Sequence, residues 1–102
     1  MRILKNIHPG EVLKEEFLEP MSISVYRLSK ETGLSQTRLG QIIRGERGIT
    51  AETTLKLGKF FGVPAEFWMN LQTHYDIEEA QKRYKKNIES IHTFRDSKYA
   101  VV

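Results

Sequence analysis

The chain has no cysteine among its 102 residues. That removes disulfide scaffolds, thiolate zinc sites and thiol nucleophiles together. It has only three prolines and a single tryptophan. No apolar run approaches the roughly 18–20 residues of a membrane span. Met1-Arg2-Ile3-Leu4-Lys5 has no secretory apolar region, so a reducing cytoplasm is the expected setting. Catalytic signatures are missing as well. His8, His74 and His92 are widely spaced and in no metal-ligand spacing, and there is no nucleophile elbow, phosphate loop or dinucleotide fingerprint. Asp76, Glu78 and Glu79 would spread over two helix faces, with Lys82 four residues beyond Glu78. An enzyme is not expected, nor is a cofactor or a metal.

What the chain does hold is one domain's worth of core-forming residues. Hydrophobic residues make up 39% and charged residues 28%, a globular and not a disordered balance. The net charge of +3 is unevenly spread. Residues 24–50 and 82–102 are basic blocks, and 51–81 between them is acidic. A basic block suits a polyanion, and a solvated surface gives the same count.

Punctuation predicts five helices and no strand of note before residue 90. Helix 1 covers Glu11–Leu18 with Leu13 and Phe17 at i and i+4, ending before Pro20. Ser24 and Gly33 bracket a helix from Val25 to Thr32, with Ile23 and Leu28 as a hydrophobic staple. Ser35 and Gly45 bracket Gln36–Arg44, with Leu34 and Leu39 as its staple. Thr50 and Gly62 bracket Ala51–Phe61, and Pro64 opens a fifth helix. The fold class is therefore all-α.

The segment 25–44 has the layout of a helix-turn-helix. Gly33-Leu34-Ser35 is the whole connector, Gly33 can take the positive φ it needs, and Ser29 is small enough for the helix crossing. Leu28, Leu34, Leu39 and Ile42 are expected inside. The polar residues left outside on the second helix are Gln36, Thr37, Gln41 and Arg44, whose lengths and donor patterns suit base edges. Phosphate contacts are expected from the N-termini at Ser24-Val25 and Ser35, and from Arg38 and Arg47. Gly40 on the same face either lets the helix backbone approach the groove or is a tolerated weak spot.

Further along, Phe67, Trp68, Leu71 and Tyr75 share a broad face that closes the core, Trp68 buried with its indole N–H partnered. Ile77, Ala80, Tyr84, Ile88 and Ile91 continue as a helical stripe beyond what the domain needs. That stripe is a two-fold dimer surface or a helix folded back on its own domain. Lys82, Arg83, Lys85 and Lys86 are its wet face or a contact to DNA or an acidic partner. Acidic Glu11, Glu15 and Glu16 either stabilise a helix start or face a basic partner. Domains are assigned as 1–84 for DNA binding, with 85–102 as a C-terminal extension for dimerisation or partner contact, and residues 92–102 are expected either to fray or to form a short extended segment.

His8-Pro9-Gly10-Glu11-Val12-Leu13, the helix-turn-helix, Arg44-Gly45-Glu46-Arg47-Gly48-Ile49-Thr50 and Pro64-Ala65-Glu66-Phe67-Trp68-Met69-Asn70-Leu71-Gln72 together resemble the HigA antitoxins. These belong to the Xre-like, phage-repressor-like helix-turn-helix group, and the likeness spans residues 8 to about 84. The resemblance implies a five-helix domain from a bacterial toxin–antitoxin module. It implies a dimer that represses its own operon at an operator and masks a HigB-type mRNA-cleaving toxin. A stand-alone phage-like regulator is the alternative, and an adaptor that binds protein alone is a third; the basic 24–50 block and the polar set of residues 36–44 argue against the adaptor.

Overall fold

The computed structural model describes residues 5–95. Tyr99-Ala100-Val101-Val102 lie outside the described residues. In chain order the helices are α1 (Pro9–Val12), a π-helical continuation (Leu13–Leu18), α2 (Val25–Thr32) and α3 (Gln36–Ile43). They continue with α4 (Ala51–Phe61), α5 (Ala65–Arg83) and α6 (Lys85–Glu89). No strand occurs among the described residues.

Local chemistry sets most of these bounds. Ser24, Ser35 and Thr50 each accept the N3 amide of the helix they open, from Arg27, Arg38 and Thr53. Gly33 and Gly62 close α2 and α4 in the left-handed conformation at φ 78° and 73°. The bounds of α2 and α4 match expectation to the residue, while α3 ends at Ile43, one short of the expected Arg44, which is its cap.

The first and last helices depart from expectation in three ways. The first helix begins at Pro9, two residues early, because the His8 side chain is its cap: Nδ1 accepts the Gly10 N–H at 2.9 Å. Its second half is wound wider than an α-helix, with Glu19 N–H bonding to the Lys14 carbonyl at 2.9 Å. Such i→i+5 bonding implies about 4.4 residues per turn, which returns i and i+5 to one side. Leu13 and Leu18 are accordingly both buried, with Phe17 packed beside them. In an α-helix those two leucines would lie about 140° apart. Thirdly, the long last helix is interrupted at Tyr84 (φ −111°, ψ 23°), so α6 is a separate short element and Ile91 falls beyond it.

The core draws on the Leu13–Leu18 turn, α2, the α2–α3 connector, α3, α4 and α5. Leu13, Leu28, Leu34, Leu39, Ile42, Leu57 and Trp68 are at most 2% exposed. Removing a leucine of this kind from water contributes about 1.5–3 kcal/mol. Trp68 sits among Phe17, Phe61 and Phe67, ring centroids 4.9, 6.1 and 5.2 Å away. That aromatic nest has no acceptor in it, so the Trp68 indole N–H is buried without a partner, contrary to expectation. The area buried by the ring outweighs a penalty of about 1–3 kcal/mol.

After Glu78 every described residue is exposed. The Cα radius of gyration is 18.2 Å, against about 13 Å for a compact chain of this length. The end of α5 and α6 therefore project from the domain and do not fold back on it. No helix among the described residues is long and apolar enough to cross a membrane.

Candidate nucleic-acid interface

The turn between α2 and α3 is fixed by short-range polar bonds. The Ser29 hydroxyl donates to the Leu34 carbonyl. The Thr32 hydroxyl donates to the Leu28 carbonyl at 2.7 Å and accepts the Leu34 N–H at 3.3 Å. Leu34 itself plugs into the core at 2% exposure. A three-residue connector held at both ends leaves little freedom in the angle between the two helices.

Packing then decides which face of α3 looks out. Leu39 and Ile42 are buried, while Gln36, Thr37 and Arg44 are exposed and Gln41 is half-buried. The predicted base-reading set thus shares the solvent side of α3. Arg44 is the cap residue after the last turn, and its guanidinium reaches back to Gly40 on that side. A Cβ built on Gly40 would stand 3.0 Å from Arg44 Nη1. The space that glycine leaves is filled by the chain's own guanidinium. Glu46 holds the same group, with Nε–Oε2 at 2.9 Å and Nη2–Oε1 at 3.4 Å.

The predicted phosphate contacts divide. Ser24 and Ser35 are exposed caps, and at each helix start the first amides have no intrahelical acceptor. Val25 at the first of these starts is half-buried against the core. Arg47 is exposed and makes no ion pair among the described residues. Arg38 is half-buried and faces Glu52 at 3.6 Å. Glu52 also takes Lys56 at 2.8 Å, and this hydrogen bond, then the Lys56 and Arg38 charges, hold its carboxyl below the usual glutamate range.

Two supporting residues escaped the sequence reading. Gln72 on α5 is buried; its Oε1 accepts the Ile49 N–H at 2.7 Å and its Nε2 donates to Asp76 at 2.9 Å. It anchors the loop that carries Arg47 against α5. Gly10 is the contact point of α1 with α3, where an added Cβ would lie 1.7 Å from the Ile42 carbonyl oxygen. Both lie within the quoted motifs, whose spacing shows that they belong together but not what they touch. Asn6 is a third tie, donating to the Tyr75 carbonyl at 3.0 Å and to Glu79 at 2.9 Å.

Of the predicted dimer stripe, Ile77, Ala80, Tyr84, Ile88 and Ile91 are all exposed, and Phe94 at 77% joins them. Among the described residues no group of His, Asp and Glu is placed to hold a metal.

A rigid two-helix corner, with a polar recognition face outward and capped helix starts beside it, defines a helix-turn-helix DNA-binding protein. The helix-turn-helix family model matches residues 14–68. Virulence-associated protein I of Dichelobacter nodosus is 47% identical over 76 residues, which is 74% of this chain and 70% of that one. Antitoxin HigA-1 of Vibrio cholerae is 36% identical over 77 residues, 76% of this chain and 72% of that one. The solved structure of Pseudomonas aeruginosa antitoxin HigA with the higBA promoter superposes with a TM-score of 0.83 at 38% identity, covering 86% of this chain and 97% of that one. The chain belongs to the helix-turn-helix family, among the HigA-type antitoxins.

Proposed function

We propose that this protein is an antitoxin that binds an operator in its own promoter as a homodimer, represses that operon, and neutralises a HigB-type mRNA-cleaving toxin by direct contact. The observation that carries the reading is the outward face of α3, with Gln36, Thr37, Gln41 and Arg44 on it and the two serine-capped helix starts beside it. The likeness to an antitoxin solved on promoter DNA supports it. Gln36, Thr37, Gln41 and Arg44 read bases, while Ser24, Val25, Ser35, Arg38 and Arg47 hold phosphates and set register. Residues 1–84 are assigned to DNA binding, and the extension 85–102 to contact with a second copy or another partner. The apolar side chains of Ile77, Ala80, Tyr84, Ile88 and Ile91 are the dimer surface, because helix-turn-helix dimers read half-sites about 34–36 Å apart. The setting is the bacterial cytoplasm, and no enzymatic step is assigned.

The test pairs DNA selection with co-purification. Gln41→Ala should relax base preference at one position of each half-site, by about 1–3 kcal/mol for a bidentate contact. Arg47→Ala should weaken all sequences alike and flatten the salt dependence. A selected motif that Gln41→Ala leaves intact would remove Gln41 from the readers. Co-expression with the neighbouring gene product should yield a stable complex; DNA binding without such a complex would leave a stand-alone regulator.

A further inference from the structure

Arginine carries five N–H donors in a rigid planar fork, so occupying one edge decides which edge remains. In Arg44 the Nε–Nη2 edge is occupied by both carboxylate oxygens of Glu46, at 2.9 and 3.4 Å. Nη1 lies over Gly40 and has no hydrogen-bond partner among the described residues. The Nη1–Nη2 edge is thus left open, on the polar side of α3 shared by Gln36, Thr37 and Gln41. Two parallel N–H groups match the O6 and N7 acceptors of guanine in the major groove.

The geometry points to Glu46 as a positioning residue for sequence reading: it locks Arg44 side-on so that the free edge meets a guanine, in space that Gly40 leaves. This rests on α3 being the DNA-facing helix. Held this way, the arginine is prepared for a base edge and hindered from swinging to a backbone phosphate. Such a swing would either break a charge-assisted pair or, with the pair intact, carry a carboxylate toward the phosphates. Glu46 therefore lowers affinity for arbitrary DNA while raising it for the guanine-bearing site. Both side chains are more than half exposed, and exposed pairs contribute little to folding, so the fold should survive removal of either charge.

The experiment uses the full chain in a randomised-site selection, followed by titrations of the selected duplex and a scrambled duplex at two salt concentrations. The parent should enrich guanine at one position per half-site. Glu46→Gln should lose that enrichment, bind the scrambled duplex more tightly, and cut the ratio of specific to non-specific affinity by about tenfold. Gly40→Ala, which pushes Nη1 aside by a few tenths of an ångström, should weaken enrichment at the same guanine position with the helical signal intact. Equal tightening on both duplexes with guanine enrichment unchanged would overturn the proposal, because Glu46 would then be only a repelling charge. Unchanged enrichment in Arg44→Ala would overturn it too. A parent that selects no sequence would instead sink the DNA-facing reading of α3, an outcome distinct from both.

Discussion

Gly10 and Ile42 meet backbone to backbone: a Cβ on the glycine would stand 1.7 Å from the Ile42 carbonyl oxygen. The first helix is thereby pressed against the end of α3, and the orientation of the reading face depends on a contact no side chain can enter. Gly10→Ala has no flexible atom to displace and must part the two helices. We expect a loss of about 3 kcal/mol or more, the upper range for overpacking, measured by urea unfolding. A loss under about 1 kcal/mol would show that the helices can separate freely.

Gln72 joins α5 to the loop after α3. Gln72→Leu keeps much of the volume but leaves the Ile49 N–H buried without its acceptor. A stability loss of about 1–3 kcal/mol is expected, with faster hydrogen exchange at the Ile49 amide than elsewhere in the loop. Protection of that amide equal to the parent's would rule out the anchoring role.

His8 makes the fold sensitive to acid. Burial holds its pKa below the ordinary 6.5, against the opposing pull of the Asp76 and Glu11 carboxylates. The Tyr75 ring packs edge-on, centroids 4.8 Å apart. Nδ1 must stay unprotonated to accept the Gly10 N–H. The unfolded chain therefore takes up the proton first. This contribution is complete above about pH 6.5 and shrinks as pH falls through that value to the folded pKa. Urea midpoints between pH 5 and 8 should drop on the acid side in the parent. In His8→Asn, which keeps a side-chain acceptor, that component of the drop should vanish; an identical profile would acquit His8.

The projecting end of the chain carries the dimer assignment. Ile88 and Ile91 are exposed, so replacing both with Asp has no core to disrupt. Sedimentation should give a two-chain mass for the parent and a one-chain mass for the double variant, at equal helical content. A double variant that keeps the parent's mass would place the dimer contact elsewhere.

Where the sequence was legible, the signal was local. Ser24 with Gly33, and Thr50 with Gly62, punctuate α2 and α4 within a few residues, and the inward set Leu28, Leu34, Leu39 and Ile42 follows from helical periodicity. Gln36, Thr37 and Arg44 are exposed on α3 for the same reason. What stayed hidden was non-local or rare. Gln72 acts on a residue 23 positions away. Gly10 matters only because α3 crosses it. His8 can cap only with one nitrogen bare. The ion pair of Arg44 with Glu46 depends on which way two long exposed side chains turn, and no spacing rule fixes that.

The wide turn at Leu13–Leu18 bears on how this chain tolerates changes of length. Loss of Lys14, Glu15 or Glu16, all exposed, would leave the two leucines four apart, and ordinary winding would keep both on one side. Elsewhere, dropping a residue from a packed helix rotates all that follows by about 100°. Here the slack is already wound in, so a chain shortened by one at this place should melt close to its parent, whereas one shortened within α4 should not fold.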